Sequence, residues 1–407
     1  MYDLLTQMRV VEGSSFVASP SCGLYLAQMG AEVIRFDSIG GGPDYRRWPL
    51  DPASGDSFYW EGLNKGKKSI ALDLGRPEGR DIAIRLITAP GDAGGLFVTN
   101  FPVNGFLAHE RLAAHRSDLI SVRVMGNADG SSALDYTANS AVGVPFLTGP
   151  AKLADEPVNN VLPTWDLLTG AYTAFAVLAA ARKRQQTGEG GEVRIPLSDV
   201  AIATVGNLGQ IAEVLATGAD RPRLGNDVFG AFGRDFTTAD GRRLMILAIT
   251  PKQWRGLLEA LQIEQEVAAV EAGQGVSFAS DEGMRFHHRD ALFPIVAGAV
   301  KARRYEDLRQ AFERCEVCWG PYQTTSEAAC DAKLVTDNPI FSQIQQPSGR
   351  TYPTPGAMAT LPGRLRRPAV RAPRLGEHTE EILADVLGMS AGEITRLHDA
   401  GLVASPR

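Results

Sequence analysis

One aspartate stands where a carboxylate can act as a nucleophile. Asp166 lies in Pro163-Thr-Trp-Asp-Leu-Leu-Thr-Gly170, at the head of an apolar stretch from Ala171 to Arg182 that reads as a buried helix. Pro163 suits a first helical position, which puts Asp166 in the first turn. Free backbone N–H groups and the positive end of the helix dipole stabilise a carboxylate there. A poorly solvated carboxylate among apolar neighbours is able to attack an activated carbonyl. The plainer reading is a helix cap, since acidic residues are common in first turns. Local sequence leaves both readings open.

The second chemical feature is cationic. Gly40-Gly-Gly-Pro-Asp44-Tyr-Arg46-Arg47 is a glycine-rich loop with two arginines, and Asn64-Lys65-Gly-Lys67-Lys68 is a basic turn entering a strand. Arg46, Arg47, Lys65, Lys67 and Lys68 are candidate phosphate ligands through charge-assisted hydrogen bonds. Solvated basic loops are the alternative, because Lys and Arg normally lie at the surface.

The elements that must hold these groups read as an α/β fold. Arg9–Glu12, Ala31–Asp37, the stretch after Lys68, Gly95–Asn100 and Leu119–Met125 are expected strands. A turn over 14–20, a helix from Cys22 to Met29 and a helix from Gly79 to Ile87 separate them. Repeated strand–helix alternation implies a doubly wound, mostly parallel sheet. The first turn has no G-x-G-x-x-G, so a nicotinamide or flavin site is unsupported. The Asp166 helix should end near Gly188, followed by a strand from Gly191 and a second long helix over 199–216. Residues 228–320 change texture, with a hairpin near 236–249. The expected division is a large domain over 1–200 and 335–407, a small α+β domain over 226–320, and linkers over 201–225 and 321–334.

Composition narrows the classes. With 407 residues, 44% hydrophobic and 22% charged, the chain is of ordinary globular type. A net charge of −6 without a basic face argues against nucleic acid as partner. The longest apolar run is too short for a bilayer, so no membrane partner is expected. The N-terminus has no secretory pattern, which makes the cytoplasm the expected compartment. Cys315 and Cys318 form a lone C-x-x-C, which reads as buried structural cysteines rather than a zinc or redox site. No metal is expected.

Together these segments resemble the class III CoA-transferases, the CaiB/BaiF family. The resemblance runs from about residue 8 to 403. It rests on Arg9-Val-Val-Glu with Leu26-Ala-Gln-Met-Gly30, and on Asp44 with Arg47 three residues on. It rests also on Asn64-Lys65-x-Lys67-x-Ser69-Ile-x-Leu-Asp73, on Asp166 with Gly170 and Asp199, and on Ala372-Pro-Arg-Leu-Gly-Glu-His378. It implies a Rossmann-like large domain built from both ends of the chain, a small domain between them, and an interlocked homodimer. It implies that Asp166 is the catalytic carboxylate, and that Arg47, Lys65, Lys67 and the Asn100-Phe101 loop contact CoA. The basic residue that usually follows that loop is absent, since Pro102-Val-Asn104 stands there. CoA enters as part of the substrate, so no separate cofactor is expected. The backbone of Gly230-Ala-Phe-Gly233 is a candidate oxyanion donor, or only a tight turn needing glycine. The racemase branch places a histidine before Asp-x-x-x-Asn; here Leu134 precedes Asp135-Tyr-Thr-Ala-Asn139, so that chemistry lacks its acid/base partner.

Further runs resemble a branch that moves CoA within one substrate. They include Leu96-Phe-Val-Thr-Asn-Phe-Pro102, Val144-Pro-Phe-Leu-Thr-Gly-Pro150 and Gly230-Ala-Phe-Gly-Arg-Asp235. The implied reaction is transfer between the C1 and C4 carboxyls of mesaconyl-CoA through an aspartyl anhydride. Arg234 is the candidate partner for the distal carboxylate, because an arginine fork matches that group; an ordinary surface arginine is the alternative. Intermolecular transfer to a free acid and non-catalytic acyl-CoA binding are the remaining readings.

Overall fold

The computed structural model describes residues 1–153 and 155–406. The chain divides into two compact units. The first comprises residues 1–142, 160–217 and 332–407; the second comprises 143–159 and 218–331. Residues 143–159, expected in the large domain, therefore group with the smaller unit.

The first unit is built on a seven-stranded sheet. Its strands are β1 (Arg9–Gly13), β2 (Glu32–Ser38), β3 (Lys68–Leu72), β4 (Leu96–Thr99), β5 (Ile120–Met125), β6 (Gly191–Pro196) and a closing strand, Val403–Ala404. The order is closing strand, β3, β2, β1, β4, β5, β6. All pairs are parallel except the closing strand against β3. This is the doubly wound order, and the strand order reverses between β1 and β4, where open sheets bind ligands. β1 to β5 are almost wholly buried, as parallel strands covered on both faces must be.

The helix after β1 spans Ala18–Gln28, four residues earlier than expected. Pro20 sits in its first turn, where a missing N–H costs nothing. The Asp166 helix runs Thr164–Thr187 and ends on Gly188 in the left-handed conformation (φ 73°). Gly170 lies against the helix Ala18–Gln28: a Cβ there would stand 2.6 Å from the Ala18 carbonyl oxygen and 2.7 Å from Ser21 Cβ. Only glycine permits this approach.

Two expectations are corrected here. The stretch 201–225 is not a simple linker, because most of it lies in the helices Leu197–Asn207 and Gln210–Thr217. The single helix expected over 199–216 breaks at Leu208–Gly209, with a bend of 63°; Gly209 has φ 77°. No single helix among the described residues is long and apolar enough to cross a membrane.

The second unit holds an antiparallel sheet of β7 (Phe232–Thr237), β8 (Arg243–Ala248) and β9 (Cys318–Pro321). Helices pack on it around Phe232, Trp254, Phe278, Leu292 and Phe312, all buried. The C-x-x-C cysteines are not buried: Cys315 is partly exposed and Cys318, at the start of the edge strand β9, is exposed. The expected linker over 321–334 contains the capped helix Thr325–Cys330.

Candidate active site

The carboxyl ends of β1, β2 and β4 converge on loops that a buried ionic network holds in place. Arg35, fully buried on β2, donates to Asp37 at 2.9 Å and to Asp44 at 2.9 and 3.0 Å. It also donates to Asn64 Oδ1 at 3.1 Å and stacks 4.5 Å over the Trp60 ring. Lys67 donates to Glu12 at 2.8 and 3.0 Å, to the Pro20 carbonyl at 2.9 Å and to Asn64 Oδ1 at 3.1 Å. Such buried charges are tolerable only when each is paired and hydrogen-bonded.

This geometry corrects the reading of Lys67 as a CoA contact. Its ammonium is wholly enclosed and saturated by Glu12, Pro20 and Asn64, so it has no donor left for a phosphate. Lys65 differs. It is buried, and burial alone lowers its ammonium to about 8.

Asp44 explains why the loop before Arg47 has its shape. Besides Arg35, it accepts the Phe16 N–H at 3.2 Å. Phe16 is a non-glycine residue at φ 69°, a conformation that persists only where the surroundings enforce it. Three residues beyond Asp44, the Arg47 guanidinium lies between the rings of Phe16 (5.4 Å) and Tyr59 (5.5 Å). Stacking of this kind holds the cation without neutralising it. Arg46 is exposed and lines a cavity of about 810 Å³ with Tyr45, Ser57, Trp60 and Arg374.

Asp166 occupies the third position of its helix, after Pro163 as the capping residue. Burial pushes its carboxyl up to about 7, the negative charge of Asp135 adds to the rise, and the positive charge of Arg47 opposes it. Tyr59 contributes a buried phenol beside the Arg47 guanidinium. A half-buried carboxylate under the charge of a stacked arginine makes Asp166 the candidate nucleophile.

Sequence reasoning missed Asp135 as part of this site. It is 3% exposed, begins the helix Asp135–Ala141, and its Oδ2 accepts the Asp166 N–H at 2.9 Å. From the same helix, Asn139 Oδ1 accepts the Trp165 indole N–H at 3.0 Å. The available signal was the spacing Asp135-x-x-x-Asn139, which puts both side chains on one helical face.

Asn100 and Phe101 sit where the sheet order reverses. Asn100 bridges the two loops, accepting the Ser15 N–H at 3.1 Å and donating to the Ser15 carbonyl at 2.8 Å. The Phe101 carbonyl accepts from Arg123 at 2.7 Å. Arg123, fully buried, also donates to the Pro102 and Leu107 carbonyls, so it shapes this loop from beneath.

In the second unit, Gly230 has φ 78°, as a tight turn requires. Gly233 lies within β7, where a Cβ would meet Val228 Cγ2 at 2.8 Å. The Arg234 guanidinium is already engaged, 3.3 Å from Asp227 and 4.6 Å over Phe293. A carboxylate bound there must compete with Asp227.

The chain is similar to known proteins along its whole length. It is 48% identical over 407 residues, 100% of this chain and 99% of the other, to 2-methylfumaryl-CoA isomerase of Chloroflexus aurantiacus. It is 28% identical to succinyl-CoA:mesaconate CoA-transferase of Haloarcula marismortui, across 95% of this chain and 97% of that one. A CAIB/BAIF family protein from Brucella suis superposes with a TM-score of 0.76 at 24% identity, covering 95% of this chain and 100% of that one. The fold is therefore the CaiB/BaiF fold. The description CoA-transferase family III matches residues 5–379, and the chain belongs to that family.

Proposed function

We propose that this enzyme moves CoA between the two carboxyls of one C5 unsaturated dicarboxyl-CoA, converting 2-methylfumaryl-CoA to 3-methylfumaryl-CoA, with Asp166 as nucleophile. The observation that carries the reading is the 48% identity, end to end, with a 2-methylfumaryl-CoA isomerase. The half-buried Asp166 carboxylate, with the Arg47 charge acting on it, supports it.

The steps follow from the residue type. An Asp166 oxygen attacks the thioester carbon, the C–S bond breaks, and CoA leaves as thiolate. The thiolate attacks the Asp166 carbonyl carbon of the mixed anhydride and frees the dicarboxylate. The other carboxylate of that molecule attacks the aspartyl thioester, expelling CoA thiolate again and forming a new anhydride. The thiolate then attacks the substrate carbonyl of that anhydride and regenerates Asp166. Two carboxyls on one substrate make a separate acceptor unnecessary. Arg46, Arg47, Lys65 and the Asn100-Phe101 loop remain the proposed CoA contacts, all in the first unit.

Purified protein incubated with mesaconyl-C1-CoA alone should yield the C4 isomer by liquid chromatography, and Asp166→Ala should not. Transfer only after adding a free acid would replace this reading with intermolecular transfer, the activity named for the Haloarcula relative.

A second copy of the chain is the proposed partner. Leu168, Tyr172, Phe175 and Leu178 are exposed along the Asp166 helix, with Phe175 63% accessible. Ile202, Ile211 and Leu215 are exposed on the following two helices, and Leu208 at the break between them. Apolar surface on this scale marks an interface. Light scattering should give twice the chain mass, and a monomer would remove the proposal.

A further inference from the structure

We infer that Asp135 is the positioning residue of the proposed reaction: it fixes the turn that presents the Asp166 carboxylate and repels that carboxylate's charge, so that forming the acyl bond is favoured. The inference rests on Asp166 being the nucleophile, and goes beyond it by giving a second carboxylate a defined task.

The geometry is specific. Asp135 is almost fully buried, yet neither a lysine nor an arginine pairs with it among the described residues. Its Oδ2 is held by the Asp166 N–H at 2.9 Å, the Trp165 N–H also acts on the carboxylate, and its buried Oδ1 has no hydrogen-bond partner among the described residues. A carboxylate placed only to cap a helix has no reason to carry an unsatisfied buried oxygen. Asn139, one turn along, anchors the neighbouring Trp165 indole, so the short helix Asp135–Ala141 grips the head of the Asp166 helix at two consecutive residues.

The charged and titratable groups that act on Asp166 are few. Asp135 comes from this short helix, and Arg47 from the loop after β2. Tyr59 comes from the helix Phe58–Leu63, and its phenol is kept neutral by burial. Arg47 opposes Asp135, but it is exposed and therefore screened by water, whereas Asp135 is enclosed.

The consequence is a directed movement of charge. A carboxylate is a poor match for a thiolate leaving group, because the thiolate is the stronger base. Asp135 narrows that gap by making Asp166 more basic. When the Asp166 oxygen bonds to the acyl carbon and the C–S bond breaks, the negative charge passes from Asp166 to the CoA sulfur. Repulsion with Asp135 is then relieved, and this relief exists only along the reaction path, which is the condition for raising a rate.

The test compares wild type with Asp135→Asn, which keeps an oxygen to accept the Asp166 N–H but has no charge. Asp166 is titrated directly by carboxyl infrared difference spectroscopy, with Asp166→Ala as the blank. The midpoint should fall by about one pH unit in Asp135→Asn. Single-turnover release of CoA thiol from mesaconyl-CoA, above both midpoints, should slow roughly three- to tenfold, as a less basic nucleophile requires, with KM unchanged. Asp135→Ser, a neutral cap of different size, should shift the midpoint in the same direction and serves if the asparagine variant folds poorly. An unchanged midpoint in both variants overturns the inference and leaves Asp135 as a cap. Absence of thiol release from wild type would instead sink the proposed function, while the titration still decides the role of Asp135.

Discussion

Replacing Gly170 by alanine sets two opposed effects against each other at the base of the active site. In a helix interior alanine is favoured over glycine by about 1 kcal/mol. Here the added Cβ would stand 2.6 Å from the Ala18 carbonyl oxygen and 2.7 Å from Ser21 Cβ, whereas carbon atoms rest about 3.5–4.0 Å apart. The nearer obstacle is backbone, which cannot rotate aside, so the two helices must separate by roughly 1 Å. Overpacking of this kind costs about 1–3 kcal/mol, and a backbone clash belongs in the upper half of that range. The net result is a loss of about 1–2 kcal/mol, or roughly 2–8 °C in melting temperature for a unit of this size. Asp166 lies one helical turn away, so kcat should fall as well. Gly298 is the internal control, an exposed helical glycine with nothing within 4 Å of an added Cβ. Gly298→Ala should raise stability by about 0.5–1 kcal/mol. Scanning calorimetry of both variants decides the matter. A Gly170→Ala protein as stable as Gly298→Ala would refute the close approach and the account of why glycine stands there.

Lys67→Met should lower stability by about 3 kcal/mol in urea titration, because it takes the hydrogen-bonded cation from buried Glu12 and leaves only Arg35, 3.7 Å away; a neutral result would mean the network is not closed. Arg46→Ala, exposed and outside that network, should leave stability within about 0.5 kcal/mol while raising KM for the acyl-CoA. The Asp166 carboxyl, at about 7 in the folded chain against about 3.9 when unfolded, holds its proton more tightly in the folded state. Its contribution to stability is full below about pH 4 and lost as pH rises through about 7. Asp166→Asn should therefore gain on wild type by about 2 kcal/mol or more between pH 4 and pH 8, and equal pH dependence of the two proteins would contradict the raised carboxyl. Thr250→Ala removes the hydroxyl half of a capping box in the second unit, the half that accepts the Gln253 N–H, and should cost about 1 kcal/mol, read as a lower urea midpoint.

What the sequence made legible follows from how far each signal reaches along the chain. The six parallel strands stood out through short β-branched and aromatic runs such as Leu96–Thr99. The two long-helix boundaries at Pro163 and Gly188 were legible from local conformational rules alone. The break at Leu208–Gly209 was not, since a lone glycine in an apolar helical pattern is tolerated more often than it interrupts. The start of the helix at Ala18 was masked by Pro20, which signals a turn unless it falls in a first helical turn. Cys318 was expected to be buried, but β9 is an edge strand, and one sequence does not say which strand of a small sheet lies at its edge.

The site was legible where chemistry is carried by one residue and illegible where it is carried by a pair. The first-turn position of Asp166 could be read from its own helix, whereas the part proposed for it came from the resemblance. Lys67 looked like a ligand for phosphate because its partner, Glu12, lies 55 residues away, and only the parallel register of β1, β2 and β3 brings them together. Asp44 and Arg47 form one sequence motif but do opposite things. The carboxylate turns inward to Arg35 and the Phe16 N–H, and this frees the arginine to turn outward between two rings. Asp135 completes the pattern. Read alone it is another acidic residue at a helix start, and its significance appears only when its oxygen is found on the Asp166 N–H. The buried network is thus the scaffold, and the charges left outside it, Arg47 and Asp135, are those that act on Asp166 with opposite sign. In the proposed transfer the enclosed Asp135 outweighs the exposed Arg47, so each acyl bond formed at Asp166 relieves a repulsion that returns when the bond is broken.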